Sequence, residues 1–312
     1  MSTPWIFVCP SSRGIGFALT RHLLARTPPS VPILATTRHP SPSATKAELL
    51  RDLDQDQGRG PQLARRLTVV RCDVADEQSV AAAAREAERL FPRGSHHLHL
   101  AAAIPGVLLN PEKSPLQIDA DAALRSFQIN TVGPLLLAKH FFDFLPRRAT
   151  VMQRPAADAD ADAIPGPESE AFSTAAPPEE HGQDRNDRND QARRAQLPRH
   201  TTWLTMAARV GSTTDNHSGG WFSYRASKAG VASLTRSLDV MLQARAGRNA
   251  MAVAYHPGTV MTDLSRDFWR SVPDEKLLTP EFAAGRMLDV VCGLELGQRG
   301  RCWAWDGEEV PP

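Results

Sequence analysis

The feature that most constrains this chain is its alternation of short apolar runs with helical segments. Trp5–Cys9, Val31–Thr37, Leu67–Arg71, His97–Ala103, Thr201–Met206 and Ala250–Tyr255 are apolar for most of their length. Each is strand-sized, and such near-continuous apolar runs suit strands buried on both faces. Between them, apolar residues step by three or four. Phe17–Arg26 follows the first run, with Ile15, Leu19 and Leu23 at helical spacing, Lys46–Leu53 reads as a helix, and Asp76-Glu77-Gln78-Ser79 starts an alanine-rich helix to Phe91. Ala120–Leu145 reads as one long helix, kinked near Gly133-Pro134 with Asn130 ahead of the kink. Ala229–Arg245 repeats the pattern at Val231, Leu234, Leu238 and Leu242, and Thr279-Pro280-Glu281 opens a last helix running to Cys292. Asp263–Leu278 reads as an irregular loop, and Cys302-Trp303-Ala304-Trp305 as a closing strand. Strands separated by helices need crossover connections, which give a parallel sheet covered on both faces. The fold class is therefore α/β, a doubly wound parallel sheet.

Two stretches break the pattern. Gln55–Pro61 is a short polar loop, while Met152–Arg199 is longer and contains A-D-A-D-A-D, P-P-E-E and R-N-D-R-N-D with almost no large apolar residues. Such a composition cannot offset chain entropy by burial, so 152–199 is expected to be a disordered insertion within a single domain spanning 1–312. The 36 Lys and Arg nearly balance the 35 Asp and Glu, which gives no global reason to expect nucleic acid or an anionic membrane as partner. Cys9, Cys72, Cys292 and Cys302 form no C-x-x-C pair, which fits a reducing cytoplasm. No apolar run approaches a membrane span, and Trp5–Cys9 is too short for a signal sequence. His96, His97 and His99 suggest metal, but no Asp, Glu or Cys lies beside them and a strand turns neighbouring residues to opposite faces. No metal is expected.

The first strand ends in Pro10-Ser11-Ser12-Arg13-Gly14-Ile15-Gly16 and a helix follows. A strand, a glycine turn and a helix start can hold a phosphate, because free N–H groups and the positive helix end face the anion. Dinucleotide-binding units commonly place an acid after the second strand to hold a ribose 2′-hydroxyl. Here that place holds Thr36, Thr37 and Arg38. A guanidinium suits a 2′-phosphate instead, and Arg13 adds a second positive charge.

Ser223–Lys228, S-Y-R-A-S-K, sets Tyr224 and Lys228 on one helix face, one turn apart. An ammonium beside a phenol favours the phenolate, so Lys228 is expected to lower the Tyr224 pKa and fit it for proton transfer.

These pieces in this order resemble the short-chain dehydrogenase/reductase family, in its single-domain Rossmann-fold branch. The glycine turn is similar to T-G-x-x-x-G-I-G; Asp73-Val74 resembles the adenine-contacting pair; Asn130 in I-N-T-V-G matches the helix asparagine; Tyr224 and Lys228 match the active-site pair; and Pro257-Gly258-x-Val260-x-Thr262 matches the motif that holds the nicotinamide carboxamide. Pro111-Glu112-Lys113-Ser114 and Trp305-Asp306-Gly307 resemble the subgroup related to the C-signal protein. The resemblance implies NADP(H) as cofactor, held by Ser12, Arg13, Gly14, Ile15, Gly16, Arg38, Asp73, Val74, Gly106, Asn130, Tyr224, Lys228, Val260 and Thr262. It implies a small-molecule carbonyl or alcohol as substrate. Tyr224 would protonate the oxygen, Lys228 would hold the nicotinamide ribose, and Asn130 would position a relay water. Helices resembling Ala120–Leu145 and Ser223–Arg245 form dimer faces in relatives, which leaves a homo-oligomer open.

Three departures stand out. Cys9 and Pro10 replace the first threonine and glycine, and Ala103-Ile104-Pro105-Gly106 replaces N-N-A-G. Aligning Gly211 with the glycine of S-x-x-G puts Ala208 in place of the catalytic serine, with Thr205 and Ser212 as the nearby hydroxyls. The alternative reading is therefore an NADP(H)-binding protein with little or no chemistry. A sugar-nucleotide epimerase of the extended branch fits less well, because the chain after Thr262 is short for its substrate domain. Phe268, Trp269 and Leu277 suggest an apolar substrate pocket.

Overall fold

The computed structural model describes residues 1–53, 60–153, 197–198 and 200–312. Most of the polar loop at 55–61 and of the insertion at 152–199 lies outside the described residues. Where their edges are described, they differ from expectation. Gly60 and Pro61 open helix α3 (Gly60–Arg66). Met152 bridges Ser2, Gln153 N–H donates to the Ser2 carbonyl at 2.9 Å, and Leu197 is buried in the core. Met152, Gln153 and Leu197, inside the expected 152–199 insertion, are thus paired or buried.

The alternation builds one eight-stranded sheet, ordered β10-β9-β6-β5-β4-β1-β2-β3. Its strands are β1 (Thr3–Cys9), β2 (Ile33–Thr37), β3 (Leu67–Arg71), β4 (His96–Ala103), β5 (Thr201–Met206), β6 (Ala250–His256), β9 (Cys302–Ala304) and β10 (Glu309–Val310). All neighbours are parallel except β10 against β9. Period-two alternation divides the central strands between two cores. Ile6 and Val8 face α1 (Gly14–Arg26) and α8 (Pro280–Gly293) through Leu19, Leu23 and Met287. Trp5 and Phe7 face α4 (Glu77–Leu90), α6 (Gly133–Phe141) and α7 (Phe222–Ala246) through Ala87, Phe141 and Leu242. Trp5 stacks on Phe91 and Phe7 on Phe141, with centroids 4.7 and 4.2 Å apart.

Local signals set the helix starts. Asp76 accepts from Gln78 N–H at 2.9 Å to cap α4, and Thr279 caps α8 through Phe282 N–H at 3.2 Å. The second helix, predicted over Lys46–Leu53, starts earlier: α2 spans Pro42–Leu50 because Ser41 caps it and Pro42 suits the first turn. The single helix predicted over Ala120–Leu145 is divided. α5 (Ala120–Phe127) passes into a π-turn at Gln128–Val132 and then into α6. Pro134 has no N–H to give the Asn130 carbonyl, and the ladder slips so that Gly133 N–H reaches back to Gln128. The predicted irregular loop Asp263–Leu278 holds two 3₁₀ turns, Arg266–Ser271 and Asp274–Lys276, and ends in β8 (Leu277–Leu278), which pairs with β7 (Thr259–Val260). No helix among the described residues is long and apolar enough to cross a membrane.

Candidate active site

The strands deliver their C-terminal ends to one cleft of about 700 Å³. In a doubly wound sheet this edge is where ligands bind. Ser12, Arg13, Gly14, Ile15, Gly16, Arg38, Asp73, Val74, Gly106, Tyr224, Lys228, Val260 and Thr262 all line it. Asn130 lies behind the wall.

The α1 start is left open. Arg13 is its cap residue, in extended backbone; no side chain caps the helix and no acid lies in its first turn. Gly14 takes φ +55°, and a Cβ on Gly16 would stand 1.9 Å from the Pro10 carbonyl oxygen, so only glycine lets the turn close there. Arg13 meets Asp263 at 3.7 Å in solvent, and Arg38 is exposed at the cleft edge. Asp73 closes its own turn by accepting from Ala75 N–H at 3.0 Å.

At the other end of the cleft, Tyr224 and Lys228 leave α7 one turn apart, both buried. Lys228 Nζ donates to the Met206 carbonyl at 2.9 Å and lies 5.9 Å from the Tyr224 ring centroid. The expected lowering of the Tyr224 pKa is overturned. Burial pushes the phenol up to about 12 and Lys228 down to about 8. Desolvation outweighs the pair's attraction because both charged forms lose water and the ammonium is engaged with a carbonyl.

Asn130 is fully buried and fully engaged. Its Nδ2 donates to the Val107 carbonyl at 2.9 Å and to Ser227 Oγ at 3.0 Å, and its Oδ1 accepts from Val107 N–H at 2.8 Å. It ties the end of β4 to α7. Gly211 lets the turn after β5 touch α7, since a Cβ there would stand 2.7 Å from the Lys228 carbonyl carbon. Ala208 lines the cleft, but neither alternative hydroxyl does. Ser212 Oγ donates to the Pro312 carbonyl at 3.2 Å, and Thr205 is buried in β5.

Of the predicted apolar residues only Phe268 lines the cleft; Trp269 turns its indole N–H to Ser265 Oγ at 2.9 Å, and Leu277 belongs to β8. Sequence reasoning missed Trp221, Val107, Leu108 and Val210 in the wall. It also gave Glu112 no role. That buried carboxylate accepts from the hydroxyl and N–H of Ser223 at the start of α7. The one available signal was Gly219-Gly220 before Trp221: all three take positive φ.

No family model matches the chain. Two curated relatives do. C-signal of Myxococcus xanthus is 35% identical over 106 residues, which is 34% of this chain and 58% of that protein. 1-Hydroxy-2-glutathionyl-2-methyl-3-butene dehydrogenase of Rhodococcus sp. strain AD45 is 37% identical over 103 residues, 33% of this chain and 42% of that one. The match thus spans about half the length of these relatives. In fold, the chain is similar to the NADPH-bound carbonyl reductase from chicken fatty liver (TM-score 0.65, 21% identity, 100% of both chains). It is also similar to the carbonyl reductase Sniffer of D. melanogaster (TM-score 0.66, 19% identity, 100% of both chains). Fold, motif order and curated relatives together bear out the resemblance to the short-chain dehydrogenase/reductase family.

Proposed function

We propose that the chain is an NADP(H)-dependent oxidoreductase that interconverts a carbonyl and an alcohol, with Tyr224 as proton donor, and that 1–312 forms one domain interrupted by the 152–199 insertion. The observation that carries this is the shared cleft: the open, arginine-flanked start of α1 and the Tyr224–Lys228 pair face the same space. The residues fit the cofactor. The uncapped N–H groups of α1 would take the pyrophosphate, Arg13 and Arg38 the 2′-phosphate, Asp73-Val74 the adenine end, and Val260 and Thr262 the carboxamide. The relatives named for NADPH or dehydrogenase activity point the same way.

When bound, the nicotinamide supplies the hydride. Tyr224 keeps its proton at neutral pH, since burial holds its pKa near 12, and can give it to the carbonyl oxygen as the carbon is reduced. Lys228 is held in place by Met206 and is available to the ribose and to the phenol oxygen once charge develops. Asn130 acts by positioning, because Val107 and Ser227 already take up its side chain.

Ala208 supports a second reading, a binding protein with little turnover. An absent donor at a developing oxyanion costs roughly 10²–10³ in rate. Single-turnover oxidation of bound NADPH against a carbonyl panel separates the two. Tyr224→Phe should remove that oxidation while NADPH affinity stays within about twofold, because the ring still packs. Full oxidation in the variant would exclude Tyr224 as the donor, and no oxidation by the native protein would favour the binding reading.

A further inference from the structure

Trp221 is a poor choice for the start of a helix. It caps α7 with φ +51° and no side-chain hydrogen bond, where Ser, Thr, Asp or Asn would be favoured. A bulky residue in the left-handed region carries strain, and such strain gathers at functional positions. Two contacts hold it. Trp221 N–H donates to the Glu112 carbonyl at 2.6 Å, and two residues on, Ser223 donates its hydroxyl to the Glu112 carboxylate. Gly220 makes room, since a Cβ there would stand 3.1 Å from the Glu112 oxygen. The indole is thereby placed 4.9 Å from the Phe268 ring and 6.1 Å, edge on, from Tyr224. All three rings line the cleft, together with Val107, Leu108 and Val210. Arg209 lines it too, but its guanidinium is paired with Asp215 at 2.8 Å. The cleft wall at Tyr224 therefore carries two further aromatic rings, Trp221 against Tyr224 and Phe268 against Trp221.

Building on the proposed function, we propose that Trp221 determines substrate specificity: with Phe268 it selects carbonyl compounds that carry a flat, uncharged aromatic group, and Glu112 is the positioning residue that holds it. A flat aromatic ring gains stacked or edge-to-face contact with the indole beyond the area it buries, and a puckered ring of similar size buries area without that gain.

Acetophenone and cyclohexyl methyl ketone test this, since they share the acetyl group and differ in ring shape. The native protein should show the higher kcat/KM for acetophenone. Trp221→Ala should shrink that preference roughly three- to tenfold, mainly through KM, and Trp221→Phe should retain most of it. Glu112→Ala should lose the preference as Trp221→Ala does. Glu112→Gln should restore it, because its amide oxygen still accepts the Ser223 hydroxyl, whereas a purely structural role would lower both ketones alike. Calorimetric titration with 1-phenylethanol and 1-cyclohexylethanol, with and without NADP⁺, gives a second readout. If neither ketone is reduced, the proposed function fails, but tighter binding of the phenyl alcohol, lost in Trp221→Ala, would still uphold the aromatic site. Equal binding of the two alcohols, binding of neither, or a preference untouched by Trp221→Ala overturns it.

Discussion

Two helices begin at the cleft, and they end their backbones differently. Neither α1 nor α7 has a side-chain cap of its own or an acid in its first turn. At α7 the buried Glu112 carboxylate, brought in from the loop after β4, accepts from Ser223. At α1 no side chain takes the cap position: Asp263 reaches only the exposed Arg13 side chain, at 3.7 Å, and the cap residue is Arg13. A helix start attracts negative charge wherever it comes from. The helix that must hold Tyr224 still has a buried carboxyl acceptor built in. The helix that would bind a phosphate keeps its N–H groups for a ligand that comes and goes. On the proposed function, one physical property, met from inside or from outside, would separate a positioning end from a binding end.

The strongest way to break this contrast is to close α1 as α7 is closed. Arg13 already has the extended backbone of a cap residue. Arg13→Asp should cap the helix and add about 0.5–2 kcal/mol, which raises the melting temperature by a few degrees. The same change should weaken NADPH binding by about a hundredfold or more, since it removes a charge-assisted contact and puts a carboxylate against the phosphate. Calorimetry and thermal unfolding on one sample read both signs. A variant with lower stability and unchanged affinity would show that the start of α1 is not a phosphate site.

A smaller change sharpens the binding end. Arg38→Asp should weaken NADPH by roughly ten- to a hundredfold while changing NADH less, because only NADPH carries the 2′-phosphate. Equal losses for both cofactors would move the 2′-phosphate away from Arg38.

The two ends also differ in how far the sequence disclosed them. The glycine turn at Ser12–Gly16 was legible because it is contiguous backbone, and Arg38 and Asp73-Val74 reach the same cleft because they follow β2 and β3, strands the apolar pattern revealed. Tyr224 and Lys228 were legible because one helix carries both. Their pKa shifts were not, because these depend on burial by residues elsewhere and on the Met206 carbonyl. Phe268 was legible as an apolar residue in the loop after Thr262, but Glu112 and Trp221 come from separate loops and no spacing rule joins them to it. Pro134 was visible as a kink, but the slip into a π-turn at Asn130 depends on how the helix packs against Val107 and α7.

The positioning end carries a pH dependence whose sign follows from burial. Lys228 is charged below about 8 and neutral above it, whereas Tyr224 keeps its proton to about 12. Carbonyl reduction should therefore fall as pH rises through about 8, when the charge beside the phenol is lost. Lys228→Arg keeps its charge throughout, though its planar fork will lower the rate itself. The informative quantity is the inflection. It should vanish in Lys228→Arg, and an inflection near 8 that survives the substitution would belong to another group.

The smallest effect is expected far from both helix ends, at Gln153 and Leu197, the described residues on either side of 154–196. The two margins meet at one corner. Gln153 N–H donates to the Ser2 carbonyl at 2.9 Å, and Ser2 Oγ lies 3.1 Å from His97 Nδ1. His97 Nε2 lies 3.3 Å from His99 Nδ1, and His99 Nε2 bonds the Pro198 carbonyl at 2.7 Å. A short Gly/Ser link across that corner should replace 154–196 and leave NADPH affinity within about twofold and the melting temperature within about 2 °C. Cutting through Pro198 should cost about 1–3 kcal/mol, because His99 then loses its buried acceptor. Burial holds His97 near 3 and His99 near 4, below the usual 6.5. The unfolded chain therefore binds more protons, and stability should fall as pH drops below about 6.5, by about 1.4 kcal/mol per unit for each histidine. The shorter deletion should keep that acid slope, since both histidines and Pro198 remain. If it lowered affinity or flattened the slope, residues 154–196 would have to act on the sheet itself.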